Sequence, residues 1–237
     1  MNIIPIILTI IIVFMILLYT YKKDYIEKEP KKKIILLFLL GFVSLILSKY
    51  ILSIFLTFFP DISEEVNNPN TFVQIVISFG EIGFIEELSK WILLMIFIWK
   101  SKDFNYVYDA IVYSVCIALG FALLENIIYV INYENNALIF RLFFTIPVHA
   151  TFGVISGFYI GKAKVFSKKK VENNITYNLF LSLFIPIIMH GLYDFILVKG
   201  IGIYAIIFIA IVIIYYIISI IAINSTNRID YVLYEDK

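Results

Sequence analysis

Seven stretches of this sequence stay apolar for long enough to cross a lipid bilayer, and that governs what the chain can become. They run over Ile3–Tyr19, Ile34–Phe59, Phe72–Trp99, Val107–Ile131, Leu142–Ile160, Tyr177–Val198 and Gly202–Ile223. A membrane span needs about 20 apolar residues. In hydrocarbon every backbone N–H and C=O must find a partner inside the protein, and a helix supplies those partners within one segment. Of the 237 residues 62% are hydrophobic and 16% charged, which leaves no room for a large soluble module. The expected architecture is all-α: a polytopic transmembrane helical bundle of about seven spans, forming one integral membrane domain over residues 1–237. The first stretch has no basic residue before it and no small-residue cleavage site after it, so it reads as a retained span rather than a signal peptide.

Lysine placement predicts how these spans are oriented. The first loop carries Lys22, Lys23, Lys28, Lys31, Lys32 and Lys33, the third Lys100 and Lys102, and the fifth Lys162, Lys164, Lys168, Lys169 and Lys170. The second holds Asp61, Glu64 and Glu65 instead, and the fourth only Glu134. Basic loops stay cytoplasmic, so the N-terminus is expected outside and the C-terminus in the cytoplasm. Lysines divided among short membrane loops are a solvated collar at the lipid surface, and no nucleic acid partner is expected. The polar tail 224–237 receives no role. The single Cys116 lies in an apolar run, which excludes an intramolecular disulfide and any cysteine-rich metal site.

Against this background the charges inside the third span stand out. Gly80–Trp91 reads G-E-I-G-F-I-E-E-L-S-K-W. A charge at bilayer depth costs at least about 2.5 kcal/mol and marks a protein interior or wet cavity with a function. Glu86 and Lys90 are four residues apart and Glu87 and Lys90 three, so one ammonium can answer either acid on a helix. Three more clusters follow on later spans: Phe121-Ala122-Leu123-Leu124-Glu125-Asn126, His149-Ala150-Thr151-Phe152-Gly153 and His190-Gly191-Leu192-Tyr193-Asp194. Asp194, one turn after His190, can fix that ring's tautomer, and Gly153 leaves space beside His149.

With the expected orientation, His149, His190 and Glu125 lie roughly 9–12 Å below the outer end of their spans. Glu86 and Glu87 are nominally deeper, at about 14 residues, and reach the same layer if Gly80 and Gly83 make a re-entrant turn. Singly, each cluster has a structural explanation, an ion pair or an interhelical hydrogen bond. Together they describe one site. Outside it, Lys49 is expected to pair with Glu81 or an acid of the second loop, Glu81 to line an entry, and Asp109 to be a helix-start anion.

Carboxylates and imidazoles around a buried cavity suit water activation. A carboxylate there can act as general base, and histidines can stabilise an oxyanion or bind zinc beside a carboxylate. The sequence contains no H-E-x-x-H and no G-x-S-x-G. The same groups would also serve a proton- or cation-coupled transporter, although no inverted repeat of the kind transporters often show is present. A non-catalytic scaffold of the same fold is the remaining alternative.

E-E-x-x-K at Glu86–Lys90, F-x-x-x-E-N at Phe121–Asn126, H-x-x-x-G at His149–Gly153 and H-x-x-x-D at His190–Asp194 occur in this order on successive spans. In this the chain resembles the PrsW family of bacterial and archaeal intramembrane proteases. The resemblance covers about Gly80 to Phe195 and includes Tyr108-Asp109-Ala110 and Gly120-Phe121-Ala122. It implies a multi-pass prokaryotic cell-membrane enzyme whose core catalytic region is about residues 72–198. The expected activity is cleavage of a single-span membrane protein, such as an anti-sigma factor, in the lipid bilayer near its outer face. Carried onto this sequence, Glu86, Glu87, His149 and His190 are the expected catalytic residues, supported by Lys90, Glu125, Asn126 and Asp194. Glu86 is the first choice for the water-activating base and Glu87 the second. The family is filed with metalloproteases, which makes zinc the candidate cofactor. The wider clan of CAAX prenyl endopeptidases also admits a metal-free glutamate mechanism, and it carries a histidine where this chain has Glu125.

Overall fold

The computed structural model describes residues 4–58, 70–132, 140–200 and 202–235. The loop acids Asp61, Glu64, Glu65 and Glu134 lie outside the described residues. Every regular element among the described residues is helical: α1 (Ile4–Lys22), α2 (Lys31–Phe58), α3 (Thr71–Ile75), a π-helical stretch π1 (Val76–Phe84), α4 (Ile85–Ile98), α5 (Val107–Asn132), a second π-helical stretch π2 (Arg141–Thr145), α6 (Ile146–Lys168), α7 (Glu172–Lys199) and α8 (Ile203–Glu235). Six of the helical runs are long and apolar enough to cross a membrane. The third predicted span is also one continuous helical run, α3–π1–α4, in which the hydrogen-bond ladder widens and then returns. The expectation of about seven membrane helices therefore holds. A re-entrant turn at Gly80 and Gly83 does not, because both glycines sit inside the unbroken π1 ladder.

The bundle is built around α5. About 78% of its apolar window is buried, and 72% of that of π2–α6, against 28% for α1 and for α2. The outer helices turn isoleucines such as Ile7, Ile11, Ile46, Ile206, Ile213 and Ile217 outward, which only a lipid solvent makes acceptable. Lipid offers no hydrophobic gain for helix association, so close backbone approach and dispersion must hold the core together. Two contacts show this. A Cβ on Gly157 of α6 would lie 2.5 Å from the Ala110 carbonyl oxygen of α5, and one on Gly120 of α5 would lie 2.0 Å from the Phe38 carbonyl oxygen of α2.

Helix ends run further than the apolar stretches, since the first polar turns beyond hydrocarbon keep their ladder. α6 extends to Lys168 and α8 to Glu235. The extension gives the polar tail a role that the sequence had not indicated. Asp230 accepts hydrogen bonds from the backbone N–H of Val107 (2.8 Å) and Tyr108 (2.7 Å), capping α5 from another helix. Asp109 accepts from the N–H of Asn105 (2.8 Å) and Tyr106 (2.7 Å), as a helix-start anion should.

Gly157→Val is expected to cost about 2 kcal/mol or more through overpacking against α5, read as a lower unfolding temperature in detergent. Gly80→Ala, which meets nothing within 4 Å, should leave that temperature nearly unchanged. Equal losses for both would refute the close-approach account.

Candidate active site

The four polar clusters meet. Glu86, Glu87 and Lys90 come from the first turns of α4, Glu125 and Asn126 from late α5, His149 from the start of α6, and His190 and Asp194 from α7. Two π-helical stretches lie on the way to these groups, Val76–Phe84 before Glu86 and Arg141–Thr145 before His149. A π-ladder places more residues in each turn than an α-helix and advances less per residue, so π1 lifts Glu86 and Glu87 toward the layer of the other groups without a re-entrant turn. Such segments occur frequently at functional sites.

Glu87 and Lys90 form the floor. Lys90 Nζ lies 2.7 Å from Glu87 Oε1 and 3.3 Å from His149 Nδ1. The same Glu87 oxygen lies 2.9 Å from His190 Nδ1. Lys90 also sits 3.9 Å from the Phe121 ring centroid, a cation–π contact that pays part of the desolvation of an ammonium here. The two imidazoles stand nearly perpendicular, with centroids 5.1 Å apart, and Phe152 stacks on His190 at 4.9 Å. Glu86, Glu87, Lys90, His149 and His190 are all at most 6% exposed.

The side walls come next. His149 Nε2 is 3.1 Å from Glu125 Oε2, and Arg141 Nη2 is 2.9 Å from Glu125 Oε1. Arg141 Nε donates to Asn126 Oδ1 at 2.9 Å, while Asn126 Nδ2 donates to the Ala122 carbonyl. His190 Nε2 faces Asp194 Oδ2 at 3.2 Å and Glu86 Oε2 at 3.9 Å. A cavity of about 200 Å³ lies above, lined by Glu86, Glu125, Arg141, His149, His190 and Asp194, with Lys49, Thr145 and Tyr193 at its edges.

The sequence ranks Glu86 before Glu87 as the base without a local feature to separate them, and the structure gives them different surroundings. Glu86 lines the cavity; Glu87 lies beneath it, tied to Lys90 and His190. Lys90 answers Glu87. Lys49 does not pair with Glu81 as expected: it approaches Glu86 Oε1 at 3.7 Å, because α2 packs beside α4 and brings its ammonium over the mouth. Glu81 is buried in π1, with Oε1 lacking a hydrogen-bond partner among the described residues, and does not line this cavity. Arg141 was missed entirely. Its signal was available: it is one of two arginines in the chain and stands where the fifth apolar run begins.

Glu86, His149 and His190 each offer a ligand atom within 4.8 Å of one another. Two imidazoles and a carboxylate form a donor set known from catalytic metal sites. Glu87 on His190 Nδ1 is the kind of carboxylate that orients a ligating ring. The residues present therefore fit a metal ion.

Residues 29–222 match the PrsW family of intramembrane metalloproteases. The chain belongs to that family. It is 34% identical to Protease PrsW of Oceanobacillus iheyensis over 213 residues, covering 90% of this chain and 91% of the relative. It is 37% identical to Protease PrsW of Bacillus subtilis over 185 residues, 77% of each chain. No solved structure matches. Membership makes this PrsW-family chain a multi-pass bacterial membrane protein and an intramembrane protease, of a class that works with a metal. It also decides against the transporter alternative.

Removing Lys90 leaves Glu87 short of its cation in a dry site, so Lys90→Met should cost about 3 kcal/mol or prevent accumulation. Lys49→Met should cost less than about 1 kcal/mol, since that side chain is 59% exposed. Thermal unfolding of both variants in detergent measures the difference, and a Lys90→Met as stable as the parent would contradict the pairing.

Proposed function

We propose that this chain hydrolyses a peptide bond of a single-span membrane protein near the outer face of the membrane, with zinc as its metal. The observation that carries the reading is the cavity in which Glu86, His149 and His190 face one another. The lysine-rich loops support the side of cleavage: basic loops on the cytoplasmic side fit an N-terminus outside, a C-terminus in the cytoplasm and a cavity in the outer half. The catalytic region is about residues 72–198, with Lys49 added from α2.

Glu86 is the proposed base. It is the glutamate of the pair that borders the cavity, and its Oε2 lies on the His190 side. There it takes the proton of the attacking water, and later it can return that proton to the leaving amine. Glu87 and Lys90 are positioning residues. Glu87 accepts from His190 Nδ1–H, which leaves Nε2 of that ring directed toward Asp194 and Glu86. Lys90 at His149 Nδ1 and Glu125 at its Nε2 hold that ring in place between them. Arg141 keeps Glu125 in place for this. His149, His190 and one oxygen of Glu86 would hold the zinc, which when bound supplies a Lewis acid for the scissile carbonyl. Glu86, His149 and His190 are buried among the helices, so these fixed charges act at reduced dielectric.

Glu86→Gln, His149→Ala and His190→Ala are expected to fold, shown by unchanged elution and unfolding temperature, and to lose at least about a hundredfold in cleavage of a reconstituted single-span substrate. Chelation should abolish activity and added zinc restore it, followed by gel assay and metal analysis. Full activity of Glu86→Gln, or proton flux in liposomes without proteolysis, would overturn the reading.

A further inference from the structure

At the lysine-rich end of the bundle, far from the cavity just described, lies a second group of buried acids. Asp24 and Glu29 stand in the connection between α1 and α2, and Asp109 in the first turn of α5. They are 3%, 3% and 0% exposed. Each offers an oxygen within 4.8 Å of the others. Asp109 and Glu125 mark opposite ends of α5, roughly 24 Å apart along its axis, so the two groups are separate sites.

The local polar contacts do not account for all of these oxygens. Capping of α5 uses both oxygens of Asp230 and Oδ2 of Asp109. Tyr113 donates its hydroxyl to Glu29 Oε2. Asp109 Oδ1 and Asp24 Oδ2 remain buried with no hydrogen-bond partner among the described residues. None of the three acids has an ion-pair partner among those residues either. The nearby lysines are engaged elsewhere. Lys28 donates to the backbone carbonyls of Tyr21, Lys22 and Asp24, and Lys33 pairs with Asp103 and Ser101.

We infer that Asp24, Glu29 and Asp109 form a binding site for a hard divalent cation, Ca²⁺ or Mg²⁺. All-oxygen ligation by carboxylates is the chemistry such ions select. Metal–oxygen distances of about 2.0–2.6 Å put ligating oxygens no more than about 5 Å apart, which the cluster satisfies. The two orphaned oxygens gain the partner that the protein does not give them. The ion would pin the α1–α2 connection to the start of α5, the helix that carries Glu125 to the other end. This inference does not rest on the proteolytic reading, and its test does not use cleavage.

The test uses the full chain in detergent, washed with chelator, and Tb³⁺ as the probe. Tyr113 touches Glu29, so excitation of tyrosine should sensitise Tb³⁺ emission, and Ca²⁺ or Mg²⁺ should displace it. Asp24→Asn and Glu29→Gln should each weaken Tb³⁺ binding on the order of tenfold to a hundredfold, while Glu172→Gln, at an exposed acid outside both clusters, should bind it as the parent does. If either cluster variant fails to fold, the parent still decides: Ca²⁺ or Mg²⁺ should raise its unfolding temperature after chelation. Emission absent, insensitive to both ions, or equal in the parent and a folded cluster variant means that protons alone neutralise these acids, and overturns the inference.

Discussion

Everything in the catalytic layer depends on a single oxygen. Glu87 Oε1 receives both Lys90, at 2.7 Å, and His190, at 2.9 Å. A lone carboxylate at this depth would be costly to keep charged. Two donors on one oxygen offset that cost and fix the rotamers of two helices against each other. Lys90 then reaches His149, so the same acid indirectly sets the second imidazole. Without the pair, His190 would have no partner at Nδ1 and Glu86 would face a ring of undefined orientation. The motif E-E-x-x-K thus divides its labour by helical geometry: the residue three positions before the lysine is held by it, and its neighbour is turned toward the cavity.

With both imidazoles neutral, the charges around the cavity do not cancel within the protein. Glu86, Glu87, Glu125 and Asp194 supply four carboxylates, and Lys49, Lys90 and Arg141 supply three cations. Of these cations Lys49 is mostly exposed and its attraction is screened. A site in low dielectric that carries surplus negative charge beside two imidazoles favours a cation, as a metalloprotease requires. The surplus also explains why the chain invests an arginine in Glu125, which would otherwise repel Glu86 across the same cavity.

Much of this was legible in the sequence, for identifiable reasons. Apolar length gives the helices directly, because the bilayer sets a minimum length. Pairs within one helix, such as Glu87 with Lys90 and His190 with Asp194, follow from the periodicity that puts i, i+3 and i+4 on one face. Relations between helices are of another kind. That Lys49 meets Glu86 depends on the close packing that Gly41 and Gly120 allow between α2 and α5, and no spacing along the chain encodes it. Arg141 stands just outside the predicted fifth span, and π2 turns it inward to Glu125. The depth of Glu86 is hard to read for a related reason: a uniform rise of about 1.5 Å per residue does not hold through a π-ladder, and the pattern of apolar residues does not report helix type.

The π-helical stretches also explain why the site can be wet inside an otherwise tight bundle. An α-helix packed through glycine contacts, as α5 is against α6, leaves no volume for substrate. π1 and π2 flank the cavity on the α4 and α6 sides, and each widens its helix just before the turn that carries Glu86 or His149. Gly83 and Gly191 let π1 lie directly on α7, a Cβ at Gly83 meeting the Gly191 nitrogen at 3.0 Å. One wall is therefore fixed by backbone contact while Ile82 and Glu86 turn to the opening. Rigid packing at α5 and local widening at the two π-stretches are complementary: the first holds imidazoles and carboxylates to within hydrogen-bond reach, and the second makes the space in which a peptide bond and a water molecule can meet them.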